Sequence, residues 1–148
     1  MSEWDTKGQK PYTPGSGKAP SLPSADCPLE SDDQIDHWAF LLGLKLHNSG
    51  FFWEAHEVWE SLWRLQSGPA KSFLKILIQL TAAHLKVRTG DREAADRLIE
   101  SLGVYLKDLS QERREICGFS LNDLRLKIQD WAHKPHDERG ILLLSFEA

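Results

Sequence analysis

Residues 51–64 read Phe-Phe-Trp-Glu-Ala-His-Glu-Val-Trp-Glu-Ser-Leu-Trp-Arg. At about 100° per residue, the apolar side chains of this stretch fill one broad arc and its polar ones the opposite face. The apolar arc contains Phe51, Phe52, Ala55, Val58, Trp59, Leu62, Trp63 and Leu65. The opposite face contains Glu54, Glu57, Ser61 and Arg64. The pattern predicts an amphipathic helix over about residues 51–66, with its aromatic side against a core.

Start and stop signals on either side of this stretch predict four more helices. A Ser31/Gln34 capping box predicts a helix to about Asn48, and Pro69 opens a helix to about Arg88. Asp91 can cap a helix to about Leu109, and either Ser120 or Asn122 can cap the last helix. Short loops between long amphipathic segments are typical of antiparallel neighbours. The sequence therefore predicts an all-α, single-domain antiparallel helical bundle of about five helices.

The two ends of the chain differ from the bundle domain, residues 31–134. Residues 1–30 are rich in proline, glycine and serine, and such a segment buries too little apolar surface to offset its ordering entropy. We expect a flexible or loosely docked arm, with Trp4 and Tyr12 as the side chains that could dock it. Residues 135–148 include the apolar run 141–144, which we expect to pack on the bundle or on a partner, so that a homo-oligomer could form through this tail.

Composition excludes several classes of protein. The net charge of −4 argues against a nucleic-acid surface, which needs a concentrated basic face. The first residues have neither the basic nor the apolar region of a signal peptide, and the longest apolar run is too short to span a membrane. Cys27 and Cys117 do not form a disulfide framework, which fits a reducing compartment. We expect a soluble cytoplasmic protein that binds neither nucleic acid nor membrane.

The border between the two faces of the central helix is the candidate site. His56 and Glu60 are four residues apart at this border, so their side chains can meet. Indole rings flank the pair, and Arg64 can pair with Glu60 from the next turn. The sequence predicts a ligand-binding site made by Trp53, His56, Glu57, Glu60, Trp63 and Arg64.

His84 is the other polar residue of interest, because it lies among the apolar residues of the third helix. A buried imidazole needs a hydrogen-bond partner, and the neighbouring helix offers His56, Glu57 and Glu60. His56, Glu60 and His84 could hold one divalent metal ion, although Glu60 stands where zinc proteases have a second histidine. We otherwise expect no cofactor.

Three segments resemble domain-of-unknown-function family 309. Residues 48–64 carry its asparagine and glycine, aromatic pair, Glu-Ala-His-Glu, second glutamate and Trp-Arg, and residues 77–83 and 89–95 continue the likeness. The resemblance covers about residues 35–132 and implies a small helical bundle with no assigned activity. His84 stands where the family leads us to expect an aromatic residue.

Three functional hypotheses follow. The first is a non-enzymatic interaction module, whose partner engages the central helix or the apolar tail. The second is a small metal- or acid/base-dependent enzyme, such as a hydrolase, that uses His56, Glu57 and Glu60. The third is a small-ligand binder, in which Trp53, Trp59 and Trp63 surround a cationic or aromatic ligand. No catalytic residue is assigned.

Overall fold

The computed structural model describes residues 4–146, so the first three residues of the predicted arm and the last two of the predicted tail lie outside the described part. It contains five α-helices, a short β-hairpin and a 3₁₀ turn. The α-helices are α1 Trp38–Asn48, α2 Phe52–Trp63, α3 Gly68–Arg88, α4 Arg92–Glu112 and α5 Leu121–His133. The hairpin strands are β1 Glu115–Ile116 and β2 Phe119–Ser120, and the 3₁₀ turn is His136–Glu138. The predicted all-α bundle of five helices is confirmed.

Two helix starts form as their capping residues predict. The Asp91 side chain accepts a hydrogen bond from the Ala94 N–H at 3.1 Å, and the Ser120 hydroxyl accepts from the Asp123 N–H at 3.3 Å. Each bond satisfies one of the N–H groups that a helix start leaves without a partner. Gly90, between α3 and α4, has a φ of 82°, which a residue with a side chain rarely adopts.

The start of α1 was predicted wrongly. The Ser31 and Gln34 side chains do accept backbone hydrogen bonds, but from Asp33 and Glu30 around a single turn. The helix begins seven residues later, at Trp38, where the His37 ring accepts from the Ala39 N–H at 3.1 Å. A capping pattern stabilises a turn whether or not a helix continues from it.

Each of α1 to α4 packs on the helix that follows it, and α5 packs on α4. The centre of the core consists of large side chains with no exposed surface, among them Trp59, Phe40 and Phe73. These rings come from α2, α1 and α3, so the aromatic face of α2 lies inward as its periodicity predicts. Burial of such side chains is the main stabilising contribution to the bundle.

The β-hairpin between α4 and α5 was not predicted. Ile116 pairs with Phe119 around Cys117 and Gly118, whose φ values are 51° and 79°. The Cys117 N–H donates to the Asp32 carbonyl at 2.7 Å, which ties the hairpin to the segment before α1. Ile116, Cys117 and Phe119 are buried, so the hairpin closes one end of the core.

Residues 4–30 lie against the bundle. The Trp4 ring contacts the Phe51 ring edge-on at 5.9 Å, and Leu29 is buried in the core. The Ala25 N–H donates to the Ser61 hydroxyl at 2.9 Å. These contacts favour an arm that is docked on the bundle over one that is flexible. The flexibility of the arm stays a prediction, which deletion of residues 1–30 would test.

The tail also lies against the bundle. Leu142 and Leu144 are buried, whereas Ile141 and Leu143 are exposed. This alternation is that of an extended segment with one face on a core. The backbone polar groups of residues 142 and 144 form hydrogen bonds with three side chains of α1 and α3, namely His47, Asn48 and His84.

Candidate functional site on helix α2

The structure brings His56, Glu57 and Glu60 together on α2. His56 Nδ1 lies 3.3 Å from Glu57 Oε1 and 3.6 Å from Glu60 Oε2. One potential metal-ligand atom from each of the three residues lies within 4.8 Å of the other two. The predicted contact between His56 and Glu60 is therefore present, and Glu57 joins it. We call these three residues the α2 cluster.

The α2 cluster is open to solvent. The side chains of His56, Glu57 and Glu60 are 30%, 39% and 30% exposed, so each has one side on the protein and one on water. This half-burial follows from their helical phase, because they lie beside the apolar arc that buries Val58 and Trp59. A solute can therefore reach the three polar groups without a change in the fold.

Arg64 adds a positive charge beside the cluster. Its guanidinium donates to Glu60 Oε1 from one helical turn away, and its side chain is 63% exposed. An exposed i, i+4 pair of this kind contributes little to stability and its partners separate readily. Arg64 is thus an exposed counter-ion for Glu60.

Trp59 cannot line a ligand site as predicted, because it is fully buried, whereas ligand binding beside Trp53 and Trp63 stays a prediction. Trp59 is fully buried and its indole N–H donates to the Phe40 carbonyl at 3.2 Å. Trp53 and Trp63 are half-buried on α2. Trp53 contacts the Tyr12 ring at 4.6 Å, and the Lys71 ammonium lies 4.3 Å above the Trp63 ring.

Glu54 was predicted on the wet face of α2, and this too is wrong. Its side chain is fully buried, and its Oε2 accepts from the Tyr12 N–H at 2.9 Å. Burial raises the pKa of this carboxyl, while the Tyr12 N–H and the charge of Arg88 act in the opposite direction. Helical phase placed Glu54 away from the core of the bundle, but residues 4–30 cover that face.

His84 is not part of the α2 cluster, so the predicted ligand set of His56, Glu60 and His84 is not assembled. His84 is buried, and its ring stacks on Trp131 of α5 at 4.1 Å. Its Nδ1–H donates to the Leu80 carbonyl at 2.8 Å, and its Nε2 accepts from the Leu142 N–H at 3.0 Å. The partners predicted for His84 on α2 were wrong, because the tail supplies one instead.

His47 was missed in the sequence and belongs with His84. The two rings are 4.7 Å apart, and His47 has no exposed surface. It follows Phe40 and Gly43, both buried in α1, by seven and four residues. That helical phase is the signal that would have found it, because positions four and seven apart share a face.

His47 and His84 are both uncharged at neutral pH. Burial lowers the pKa of His47 to about 4. Burial, the neighbouring His47 and the charge of Arg88 lower the pKa of His84 to about 3. His47 Nε2 lies 2.8 Å from the Leu142 carbonyl, which can only accept, so Nε2 carries the proton. Nδ1 of the neutral ring then accepts from the Thr81 hydroxyl at 3.0 Å.

Residues 40–98 match the family model of DUF309, a domain of unknown function. The DUF309 match runs from α1 to the first half of α4 and includes the α2 cluster, His47 and His84. The resemblance predicted from the sequence is confirmed over these residues, which are fewer than the predicted 35–132. No curated protein and no solved structure matches the chain.

DUF309 is by its description a domain of unknown function, so the match supplies no chemistry. Within residues 4–146, none of the helices is long and apolar enough to cross a membrane.

Proposed function

We propose that this protein is a ligand-binding module and that its ligand is a divalent metal ion held by His56, Glu57 and Glu60. The observation that supports the proposal is the approach of one imidazole nitrogen and two carboxylate oxygens to within 4.8 Å of one another on an open face of α2. The cytoplasm is the proposed setting, because Cys27 and Cys117 are both free thiols.

The distances suit a metal ion after a small adjustment. Histidine nitrogen and carboxylate oxygen bind zinc at about 2.0–2.2 Å, so two ligands of one tetrahedral ion lie about 3–4 Å apart. The separations of His56 Nδ1 from Glu57 Oε1 and from Glu60 Oε2, 3.3 Å and 3.6 Å, fall in that range. The widest separation within the set, up to 4.8 Å, has to shorten. Half-exposed side chains can do this by changing rotamer.

The charges also suit a cation. Glu57 and Glu60 supply two negative charges, and a neutral His56 supplies a nitrogen ligand. Arg64 competes with the ion, because it already donates to Glu60. Its exposed side chain can turn into solvent when an ion takes its place.

Hydrolysis is a second candidate function for the same residues. Three protein ligands on a solvent-facing surface leave at least one coordination position for water. A bound divalent ion lowers the pKa of such a water and creates a nucleophile. The exposure of all three side chains favours this candidate over a closed structural site.

The test is metal binding by the full chain, purified without an affinity tag and treated with a chelator. Isothermal titration with Zn²⁺ and with Mn²⁺ should show one site for at least one of these ions. His56→Ala and Glu60→Gln should each weaken the affinity at least tenfold. Arg64→Gln should leave it unchanged or tighten it, because a competing charge is removed.

Glu93→Gln is the matched control. Glu93 and Arg97 form an i, i+4 pair on α4, like Glu60 and Arg64 on α2. Metal affinity should be unaffected by this change. Equal affinity in wild type, His56→Ala and Glu60→Gln, or no binding at all, would refute the proposal.

A further inference from the structure

A cleft of about 830 Å³ lies between α4 and α5, which the β-hairpin joins at one end. We call it the α4–α5 cleft. Clefts that bind small molecules usually have a volume of about 300–1,000 Å³. All residues that line this cleft follow residue 98, where the DUF309 match ends, and none of them belongs to α2. The cleft is therefore a separate feature from the α2 cluster.

The floor of the α4–α5 cleft is apolar. Leu106 of α4 and both Leu121 and Ile128 of α5 line it, and the same side chains belong to the core of the bundle. Ile99 lies two helical turns before Leu106 and extends the apolar surface along α4. Such a floor favours the apolar group of a ligand, because the contact removes the surface of that group from water.

Gly103 leaves the middle of α4 without a side chain at the cleft. Beyond its chain neighbours and the backbone of α4, no atom lies within 4 Å of the place that a Cβ of residue 103 would take. Packing in the described part of the chain therefore does not require a glycine here, and glycine inside a helix is less favourable than alanine. Positions 99, 103 and 106 share one helix face, so the glycine widens the cleft above its apolar floor.

The border of the cleft is basic, although the whole chain has a net charge of −4. Its charged lining residues are four cations and one anion, namely Lys107, Arg113, Arg114, Arg125 and Glu115. The first turn of α5 also lines the cleft, and the start of a helix carries a partial positive charge. A local excess of positive charge therefore faces a space that a solute can enter.

Three of the four cations form no salt bridge within residues 4–146; they are Lys107, Arg114 and Arg125. The Arg125 guanidinium donates to the uncharged Asn122 side chain at 2.7 Å. Arg113 differs, because its guanidinium lies 3.0 Å from Asp32 and 3.3 Å from Asp33. Three positive charges at the cleft thus lack a carboxylate partner in the described part of the chain.

We infer that the α4–α5 cleft binds a small organic anion with an apolar body. The head group, a carboxylate or a phosphate, contacts Lys107, Arg114 and Arg125, since guanidinium groups bind both anions by paired hydrogen bonds. The apolar body lies on the floor and fills the space beside Gly103. Inorganic phosphate would leave this floor unused.

The experiment uses the full chain after treatment with a chelator, so that no metal ion at the α2 cluster can hold an anion. The probes are octyl phosphate and octanoate, each below its micellar concentration. Isothermal titration should show one saturable site for at least one of them, and the tighter anion identifies the preferred head group. Octyltrimethylammonium has a similar alkyl chain and the opposite charge, and inorganic phosphate has no chain; each should bind at least tenfold more weakly.

Substitution of the unpaired arginines tests the head-group contacts. Arg114→Gln and Arg125→Gln together should weaken the affinity for the tighter anion at least tenfold, because two positive charges are removed from the cleft. Arg92→Gln is the matched control, since Arg92 is an exposed arginine of α4 that does not line the cleft. The affinity of this control should equal that of wild type.

Gly103→Leu separates ligand binding from stability. The leucine side chain occupies the space of the alkyl chain, so the affinity should decrease at least tenfold. Leucine is also a better helix former than glycine, so the thermal midpoint should stay the same or rise. Val104→Leu adds bulk at the next position, which is 57% exposed and does not line the cleft; it should leave the affinity unchanged.

Equal affinities for the two anions and for octyltrimethylammonium would overturn the inference, because charge would then play no part. An affinity that neither the double arginine variant nor Gly103→Leu lowers would place the anion elsewhere and would also overturn it. So would the absence of binding by both anions. Each result is independent of metal binding by the α2 cluster, because the protein is free of metal throughout.

Discussion

Two histidine clusters a short distance apart in the sequence have opposite environments. His56 lies half-exposed beside Glu57 and Glu60, with an arginine nearby. His47 and His84 are buried, and their hydrogen-bond partners are a hydroxyl and backbone groups. The comparison teaches that burial and partner type, more than residue type, decide what a histidine does.

The difference has a chemical consequence for each cluster. The α2 cluster keeps polar groups that solvent or an ion can reach, so it can change partners without a change in fold. The buried pair has every ring nitrogen in a hydrogen bond, and both rings must stay neutral to keep those bonds. The first cluster is open to solvent, where we propose that it binds a metal ion, and the second holds the backbone of the chain's own tail.

Removal of the tail should have the largest effect on stability, because the tail covers the buried histidines. A chain that ends at Arg139 loses the burial of Leu142 and Leu144, which contribute roughly 1.5–3 kcal/mol each. It also removes the partner of one ring nitrogen of His47, of one ring nitrogen of His84 and of both polar groups of the Asn48 side chain. We expect a loss of at least about 3 kcal/mol in the free energy of unfolding, or about 10 °C in the thermal midpoint. Leu143→Ala, at an exposed position, is the control; an unchanged midpoint after truncation would show that the tail does not contribute.

The second-largest effect should be a loss of stability at acidic pH, which comes from His47 and His84. In the unfolded chain each histidine binds a proton near pH 6.5, whereas in the folded chain His47 does so near 4 and His84 near 3. Between these pH values the unfolded state binds more protons than the folded state. The contribution of the two neutral histidines to stability is therefore fully present above pH 6.5 and is lost as the pH falls below it. Each histidine contributes a slope of up to about 1.4 kcal/mol per pH unit.

His84→Gln checks this assignment, because glutamine retains a donor and an acceptor but does not titrate. Urea unfolding at several pH values should give a slope smaller by about one proton in the variant. Glu54, whose raised pKa acts in the opposite direction, is present in both proteins and cancels in the comparison. Equal slopes would mean that His84 is not a buried neutral group.

Deletion of residues 1–30 should have an intermediate effect. The composition of the arm predicts no loss of stability, but the contacts of Leu29 and Trp4 predict one. We expect a decrease of about 1–3 kcal/mol, mainly from the buried leucine. Thermal unfolding of the truncated chain and of Leu29→Ala measures it. If both midpoints equal that of wild type, the arm is mobile in solution.

The smallest effect should come from the α2 cluster. Glu60→Gln removes one partner of a half-exposed ion pair, and such pairs contribute about 0–1 kcal/mol. We expect a change in the free energy of unfolding below about 0.5 kcal/mol by urea titration without added metal. Glu60→Leu should cost little more, because water can bond to His56 instead. A loss above about 2 kcal/mol would show that the cluster is structural, and the contrast with the buried pair would disappear.

Features that depend on neighbours along the chain could be predicted from the sequence. The helical phase of residues 51–64 placed Val58 and Trp59 in the core and His56 beside Glu60. Asp91 and Ser120 cap helices as predicted, because a cap acts over three residues. The resemblance to DUF309 rests on motifs of the same local kind.

Which helix faces are covered, and by which segments, follows from tertiary packing and could not be predicted from local patterns. Glu54 has the helical phase of a wet residue, yet residues 4–30 bury it. His84 accepts a hydrogen bond from the Leu142 N–H, 58 residues away in the sequence, and His47 donates to the Leu142 carbonyl, 95 residues away. The sequence pattern of a helix gives the direction of each side chain from its own axis. Which distant segment meets that side chain depends on the packing of the whole chain, and that packing left His56 open to solvent and buried His47 and His84.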